Sequence, residues 1–246
     1  MIEFLKAVRF GIVEGITEWL PVSSTGHLIL LPDWLTFRFT EDARLLAEFG
    51  EMFEVVIQLG AILAVIVLFF HKLNPFAFKT KTKEERKQTW NLWFKVCAAI
   101  VPSGVLGVLF DDWMEDHLHG GIPVAIALIV YGIAFILVEK RNEGVEPRIR
   151  KVWDIDWRTA ILIGCFQCLS LIPGTSRSGS TILGAILIGV SRGAGAEFSF
   201  FMAIPTMLGA SALKLLKYAL EIVKGEALAP NGTEIAVLIT GCIVAF

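Results

Sequence analysis

The chain has 246 residues, of which 55% are hydrophobic and only 19% are charged, and its formal net charge is -2. This balance excludes an ordinary soluble domain, in which about a quarter of the residues are charged. The small net charge gives no reason to expect a nucleic-acid partner. The composition therefore predicts an integral membrane protein.

Apolar segments long enough to cross a bilayer, which takes about 20 residues, occupy residues 52–70, 91–110 and 121–138. A fourth runs from about residue 195 to residue 217. A fifth, at residues 234–246, is too short to span. We therefore expect an all-α fold whose last helix or helices are truncated.

The charges of the connecting segments predict their sides of the membrane. Residues 71–89 and 139–158 each hold six Lys or Arg, whereas residues 111–120 hold four acids and no Lys or Arg. Residues 32–51 hold five acids and two Arg. By the positive-inside rule, the first two segments are cytoplasmic and the other two are external.

Two regions are apolar but do not fit simple spans. Residues 159–172 and 181–190 flank the sequence PGTSRSGS, and as helices they reach only about 21 and 15 Å, short of a core about 30 Å thick. The stretch EGITEWLPVSSTGH, residues 14–27, breaks an apolar segment in the same way. Both regions are typical of re-entrant helical hairpins, whose irregular backbone must face protein or a water-filled cavity.

The two irregular regions resemble each other. LPVSSTGH, residues 20–27, is similar to IPGTSRSG, residues 172–179, and a Leu-Gly-Ala sequence follows each of them, at residues 59–61 and 208–210. If the first hairpin enters from outside and the second from the cytoplasm, three full spans lie between the two units, and this odd number makes the copies inverted. Inverted repeats with broken helices place their site near the bilayer midplane, where the halves meet.

The predicted architecture is one membrane domain over residues 1–246. Repeat one covers about residues 1–110 and repeat two about residues 155–246, each with a re-entrant hairpin plus transmembrane helices. Transmembrane helix 121–138 joins the repeats.

Two acidic residues lie in the first irregular region. Glu14 and Glu18 are four positions apart, so they share one helix face at about 6 Å, and Pro21 breaks the helix soon afterwards. Within a membrane, such a pair requires a metal ion, a cationic side chain or a shared proton, and it indicates a functional site. The alternative is a helix at the membrane interface with both carboxylates solvated.

The second irregular region favours an anion. Pro173 and Gly174 break the chain, Ser176 or Ser178 caps the next helix, and Arg177 stands at the start of that helix. A helix N-terminus combined with a guanidinium suits a phosphate group. The alternative is that Arg177 only neutralises the acids of the first region, and the two roles can coexist.

Other polar residues accompany these charges. His27 lies close to the hydroxyls of Ser23, Ser24 and Thr25, and a histidine in such a setting acts as a general base, attacks phosphorus itself, or is merely structural. Gln58 lies within a predicted span, where a site contact and a helix–helix hydrogen bond explain it equally well.

Long motifs point to one family. The chain resembles the bacterial undecaprenyl-diphosphate phosphatases from about residue 8 to residue 217, on the motifs EGITEWLPVSSTGH, FEVVIQLGAILAV, GCFQCLSLIPGTSRSGSTI and GVSRGAGAEFSFFMAIP. The resemblance implies a membrane enzyme that removes the terminal phosphate of a C55 isoprenoid diphosphate. That reaction regenerates the lipid carrier for cell-wall synthesis, and the family is linked to bacitracin resistance.

The resemblance also implies residue roles. The implied catalytic residues are Glu14, Glu18, Ser24, His27 and Arg177. The expected substrate-binding residues are Ser23, Thr25, Thr175, Ser176, Ser178 and Gln58. A divalent cation, Mg²⁺ or Ca²⁺, is expected as cofactor, with Glu14 and Glu18 as its ligands, and both Ser24 and His27 stay open as the nucleophile.

The expected location is the bacterial plasma membrane, with the site opening to the external face. The expected partners are the polyprenyl diphosphate lipid and membrane lipids, and a homodimer is left open. The main alternative function is a transporter or flippase for a lipid phosphate, because transporters also use inverted repeats and broken helices. A non-catalytic scaffold is the third alternative, although buried charges are poor scaffolding material.

Overall fold

The structure is a computed structural model that describes residues 2–30, 37, 43–118, 120–224 and 231–246. The regular secondary structure of these parts is all helical, and they contain no strand apart from one isolated bridge between Ile149 and Val190. Ten α-helices are described: α1 (Ile2–Thr17), α2 (Ser24–Leu30), α3 (Ala43–Leu68), α4 (Phe70–Leu73), α5 (Lys83–Leu118), α6 (Gly121–Asn142), α7 (Trp157–Gln167), α8 (Arg177–Leu187), α9 (Arg192–Lys224) and α10 (Gly232–Ala245). Two 3₁₀ turns occupy Val152–Asp154 and Cys168–Leu171.

Several helices are suited to a bilayer. Three of the described helices are long and apolar enough to cross a membrane, namely α5 over Lys83–Phe110, α6 and α9. Shorter apolar helices occupy Met52–Leu68, Trp157–Leu171 and Gly232–Ala245. Large apolar side chains such as Val108, which is 80% exposed, cover the outer surface. The chain is thus an all-helical, multi-pass integral membrane protein, as its composition predicted.

Helix α5 is longer than the predicted span 91–110. It begins at Lys83 because Thr82 and Glu85 form a capping box, in which Glu85 N donates to Thr82 Oγ1 at 3.2 Å and Thr82 N donates to Glu85 Oε2 at 2.7 Å. At its other end it continues to Leu118, so most of the predicted external segment 111–120 is helical.

Glycines bring two helix pairs into close contact. Helix α1 packs on α10, where a Cβ added at Gly11 or Gly15 would lie 2.7 or 2.8 Å from a main-chain carbonyl oxygen of α10. Helix α7 packs on α5, where a Cβ at Gly164 would overlap the carbonyl of Ala99. Only residues without a side chain permit such approaches, as in other membrane helix pairs.

Helix α6 contacts both short helices that follow the irregular segments. Gly26 of α2 faces Leu128, and Gly174, just before α8, faces Val124 at a φ of +89°. These contacts agree with two copies in which α1 corresponds to α7 and α2 to α8. The packing of α1 on α10 then matches that of α7 on α5, and the contact of α2 with α6 matches that of α8 with α6. The division into inverted repeats and their orientation in the membrane stay predictions.

Candidate active site

The first irregular segment separates α1 from α2. Pro21 has no N–H to continue the helix, and Ser23 adopts a left-handed backbone with a φ of 64°. The hydroxyl of Ser23 then accepts a hydrogen bond from Gly26 N at 3.1 Å, which caps α2. The turn therefore places Ser24 at the first position of α2, close to the end of α1.

The second irregular segment is built in a similar way. The hydroxyl of Ser176 accepts a hydrogen bond from Gly179 N at 3.0 Å, so Ser176, of the two predicted candidates, caps α8. Ser178 instead donates to the carbonyl oxygen of Leu20 at 3.3 Å, which links the two segments. Arg177 consequently occupies the first position of α8, the position that Ser24 holds in α2.

The carboxylate of Glu18 receives hydrogen bonds from both helix starts. Arg177 Nη2 donates to Oε1 at 2.6 Å, and Ser24 Oγ donates to Oε2 at 2.9 Å. The side chains of Glu18 and Arg177 are only 12% and 14% exposed. Arg177 Nη1 also donates to the carbonyl of Ser199 in α9, at 3.1 Å. Glu18 is therefore partnered inside the protein, which contradicts the solvated alternative for this residue.

A polar cavity of about 210 Å³ lies at this junction. Predicted site residues on its wall are Glu18, Ser23, Ser24, Gln58, Thr175, Ser176 and Arg177. The lining residues that sequence reasoning missed are Ser170, Thr206, Met207 and Ala210. These four come from the 3₁₀ turn and from α9. Ser170 lies within a quoted family motif and Ala210 within the repeated Leu-Gly-Ala sequence, whereas Thr206 and Met207 lie just beyond the motif that ends at Pro205.

Three of the predicted site residues lie outside the cavity lining: Glu14, His27 and Ser178. The ring of His27 is directed to its own turn, since Nδ1 donates to the carbonyl of Ser23 at 2.7 Å. A carbonyl can only accept, so Nδ1 carries the hydrogen and Nε2 stays an acceptor in the neutral ring. The side chain of Thr25 lies outside the described part of the structure.

Glu14 is fully buried, with an exposed fraction of 0%, and neither of its carboxylate oxygens has a hydrogen-bond partner. Its charged neighbours among the described residues include Glu18, Glu54 and Arg177. The unpartnered carboxylate of Glu14 would itself be stabilised by a cation or a proton.

The two expected metal ligands differ in their availability. Both Glu18 oxygens already accept hydrogen bonds, whereas those of Glu14 are unpartnered. No group of three or more His, Cys, Asp or Glu suited to a metal occurs among the described residues. The unpartnered carboxylate of Glu14 is the feature that would suit a hard cation, since Mg²⁺ is commonly held by one or two protein carboxylates together with substrate phosphates.

These features define an integral membrane protein in which a buried arginine–glutamate pair lines a polar cavity at the junction of two helix breaks. The family model described as bacitracin resistance protein BacA matches residues 7–246, and the chain belongs to this family.

Several relatives share most of the sequence. An undecaprenyl-diphosphatase of Enterococcus faecalis is 53% identical over 246 residues, covering 100% of this chain and 84% of the relative. One of Limosilactobacillus fermentum is 55% identical over 246 residues, covering 100% and 85%. One of Streptococcus mutans is 52% identical over 244 residues, covering 99% and 83%.

Proposed function

We propose that this chain hydrolyses undecaprenyl diphosphate to undecaprenyl phosphate and inorganic phosphate. The reaction recycles the lipid carrier of cell-wall synthesis and gives resistance to bacitracin. The family match and the names of the relatives support this function. The structural observation that carries it is Glu18, which joins Arg177 to the Ser24 hydroxyl on the wall of one polar cavity.

Arg177 and the start of α8 are the proposed binding site for the diphosphate. The Nε atom of Arg177 is buried and has no hydrogen-bond partner, so one guanidinium N–H is available to a phosphate oxygen. The free N–H groups at the start of α8 add a positive electrostatic potential at the same place.

Ser24 is the proposed nucleophile. Its hydroxyl already donates to Glu18 Oε2, so Glu18 can accept the proton as Ser24 Oγ attacks the terminal phosphorus. The bond from that phosphorus to the bridging oxygen breaks, and undecaprenyl phosphate leaves with the electron pair. Water then hydrolyses the phosphoserine, which releases inorganic phosphate and restores the hydroxyl.

His27 is the rival nucleophile. Its Nε2 is chemically able to attack, but its ring is held to the Ser23 carbonyl and is not part of the cavity lining. We assign it the role of holding Ser23 and Ser24 in place, because its hydrogen bond closes the turn that carries both serines.

A divalent cation, Mg²⁺ or Ca²⁺, is part of the proposal, with Glu14 as its main protein ligand. When bound, such an ion stabilises negative charge on the phosphate oxygens. Glu14 itself would hold the ion, while Glu18 keeps Arg177 and Ser24 in position.

The proposed site opens to the external side of the plasma membrane, because the basic segments 71–89 and 139–158 are expected on the cytoplasmic side. The four native cysteines of the protein are first replaced by serine. In intact cells, the Ser24→Cys variant of this protein should then react with a membrane-impermeant thiol reagent added outside. Reaction only in inside-out vesicles would show that the site opens to the cytoplasmic side.

The homodimer stays a prediction, to be checked by light scattering in detergent.

The test of the reaction is phosphate release from detergent-solubilised undecaprenyl diphosphate labelled in its terminal phosphate. Acid quenching should trap label on Ser24, because phosphoserine survives acid, and Ser24→Ala should abolish both label and turnover. Acid-labile label that persists in Ser24→Ala would assign the attack to His27. Lipid binding without any release of phosphate would instead support a carrier.

A further inference from the structure

A second cavity adjoins the polar one. It has a volume of about 430 Å³ and lies between α5 and α9, with the 3₁₀ turn Cys168–Leu171 beside it. The two cavities share three lining residues, Ser170, Thr206 and Ala210. The larger cavity therefore lies directly beside the space that Arg177 and Glu18 line.

The walls of this second cavity are mainly apolar. Its side chains include Ile100, Val108, Leu171, Pro205 and Leu213. We call the space the α5–α9 groove. Its volume lies in the usual range of about 300–1,000 Å³ for small-molecule sites.

The polar residues at the inner end of the groove largely bond to one another. Gln167 Nε2 donates to Ser103 Oγ at 2.6 Å and to Thr206 Oγ1 at 3.4 Å, so one amide joins the two wall helices. Ser103 in turn donates to the carbonyl of Ile100, and Thr206 donates to that of Met202. The hydroxyl hydrogens are thereby used within the walls, and Gln167 Oε1 is the atom of this cluster that stays without a partner. The apolar remainder of the lining suits an apolar occupant.

Two glycines keep the groove open. A Cβ added at Gly104 of α5 or at Gly209 of α9 would meet no atom within 4 Å, so close helix packing does not require a glycine at either position. A glycine inside a helix costs about 0.5–1 kcal/mol relative to alanine, and here its effect is to leave space along the groove.

We infer that the α5–α9 groove binds the isoprene units nearest the diphosphate of the substrate. This inference rests on the proposed function. The occupant must have a charged end that fits the polar cavity and an unsaturated hydrocarbon chain that leaves it past Ser170 and Thr206. The groove is too small for a whole C55 chain, so the remaining isoprene units stay in the lipid.

The first experiment fills the groove. Gly209→Leu and Gly104→Leu each add four carbon atoms to the groove, so each should raise the KM for undecaprenyl diphosphate at least about tenfold, the lower end of the effect of one methylene in an apolar pocket. Inorganic diphosphate fits the polar cavity alone, so its inhibition constant should stay as in the wild type. Gly132→Leu is the matched control, because Gly132 in α6 also has open space within 4 Å but does not line the groove.

The outcomes separate the two proposals. A wild-type protein that releases no phosphate contradicts the proposed function itself. Normal hydrolysis by wild type with an unchanged KM in both groove variants contradicts the groove alone. An equal rise in the KM and in the inhibition constant of inorganic diphosphate also contradicts it, because the polar cavity would then be distorted. Thermal unfolding midpoints establish that the variants are folded.

The second experiment locates the chain directly. A prenyl diphosphate with a diazirine on its first isoprene unit should label peptides that contain residues 100–108 or 205–213 after irradiation. Labelling of α2 or α6 in place of these segments would overturn the inference. Gly209→Leu should reduce the labelling of both segments.

Discussion

Arg177 and Glu18 are separated by 159 positions in the sequence, yet Arg177 Nη2 donates to Glu18 Oε1 at 2.6 Å. Each residue lies at a break in a helix, and each break is capped by a serine three residues before a glycine. The ion pair therefore depends on two turns that form separately and then meet. It also leaves Glu18 Oε2 directed to Ser24, the proposed nucleophile.

Replacing the Glu18 carboxylate by an amide should remove catalysis without removing the side chain. Glu18→Gln keeps the size of the residue but cannot accept the Ser24 proton, so phosphate release should fall at least about 100-fold. The control is Glu3→Gln in α1. Glu3 pairs with Lys6 outside the site, so the activity of this variant should stay within about twofold of wild type. Wild-type turnover in Glu18→Gln would remove Glu18 from the mechanism.

Glu14 should determine the dependence on divalent cations. In Glu14→Gln, the Mg²⁺ concentration for half-maximal activity should rise about tenfold or more, because the unpartnered carboxylate is lost. Mg²⁺ should also raise the unfolding temperature of the wild type and not that of the variant. An unchanged cation response in both measurements would assign the metal site to other residues.

Close helix contacts should be intolerant of even a methyl group. Gly164→Ala should lower the free energy of unfolding by about 1–3 kcal/mol, because the new Cβ overlaps the carbonyl of Ala99 and forces α7 away from α5. Gly132→Ala has open space around it and should be neutral or slightly stabilising. Thermal unfolding in detergent compares the two, and equal midpoints would contradict the close contact.

Replacement by alanine and by glycine should change the stability of the protein differently at Ser23 and at Ser176. Both cap a helix, but Ser23 has a φ of 64° whereas Ser176 has a φ of -66°. Alanine should be less stable than glycine at both positions, since it is the poorer cap. The difference in the free energy of unfolding between the alanine and glycine variants should be about 1 kcal/mol larger at Ser23, because alanine at this position must also adopt the unfavourable left-handed backbone. Urea unfolding of the four variants measures this difference.

The carboxylate of Asp156 caps α7 and should stabilise the folded protein at neutral pH, and this stabilisation should be lost in acid. The main-chain N–H of Thr159 donates to Asp156 Oδ1 at 2.7 Å, and the side chain of Thr159 donates to the same carboxylate. These two hydrogen bonds, the main-chain one above all, hold the pKa of Asp156 below its usual value of 3.8. A lowered pKa in the folded state means that the contribution is complete above about pH 4 and is lost as the pH falls through the folded pKa. Asp156→Asn keeps a cap without the charge.

The measurement is the unfolding temperature of both proteins at pH 7 and at pH 3. The drop between the two pH values should be smaller in Asp156→Asn than in the wild type. A drop of the same size in both would show that other carboxyl groups account for the acid sensitivity.

Much of the site was predictable because its chemistry is concentrated in two short stretches. Charges in an apolar sequence must be compensated, so Glu18 and Arg177 stood out, and the helix-breaking residues beside them indicated where they lie. The contribution of Thr206 was not predictable in this way, since a threonine within an apolar helix is common and only the folded chain shows which face meets the cavity. His27 was expected in the cavity from its position, but its ring bonds to the carbonyl of Ser23.

The close packing of α1 on α10 has a consequence for how the cell makes this protein. Helix α1 carries the buried Glu14, and its glycine-lined face belongs against a helix that the ribosome synthesises only at residues 232–245. During most of translation, that glycine-lined face has no permanent neighbour. We therefore expect α1 to linger at the insertion machinery or at the water interface until α10 arrives, which would make biogenesis sensitive to the membrane insertase.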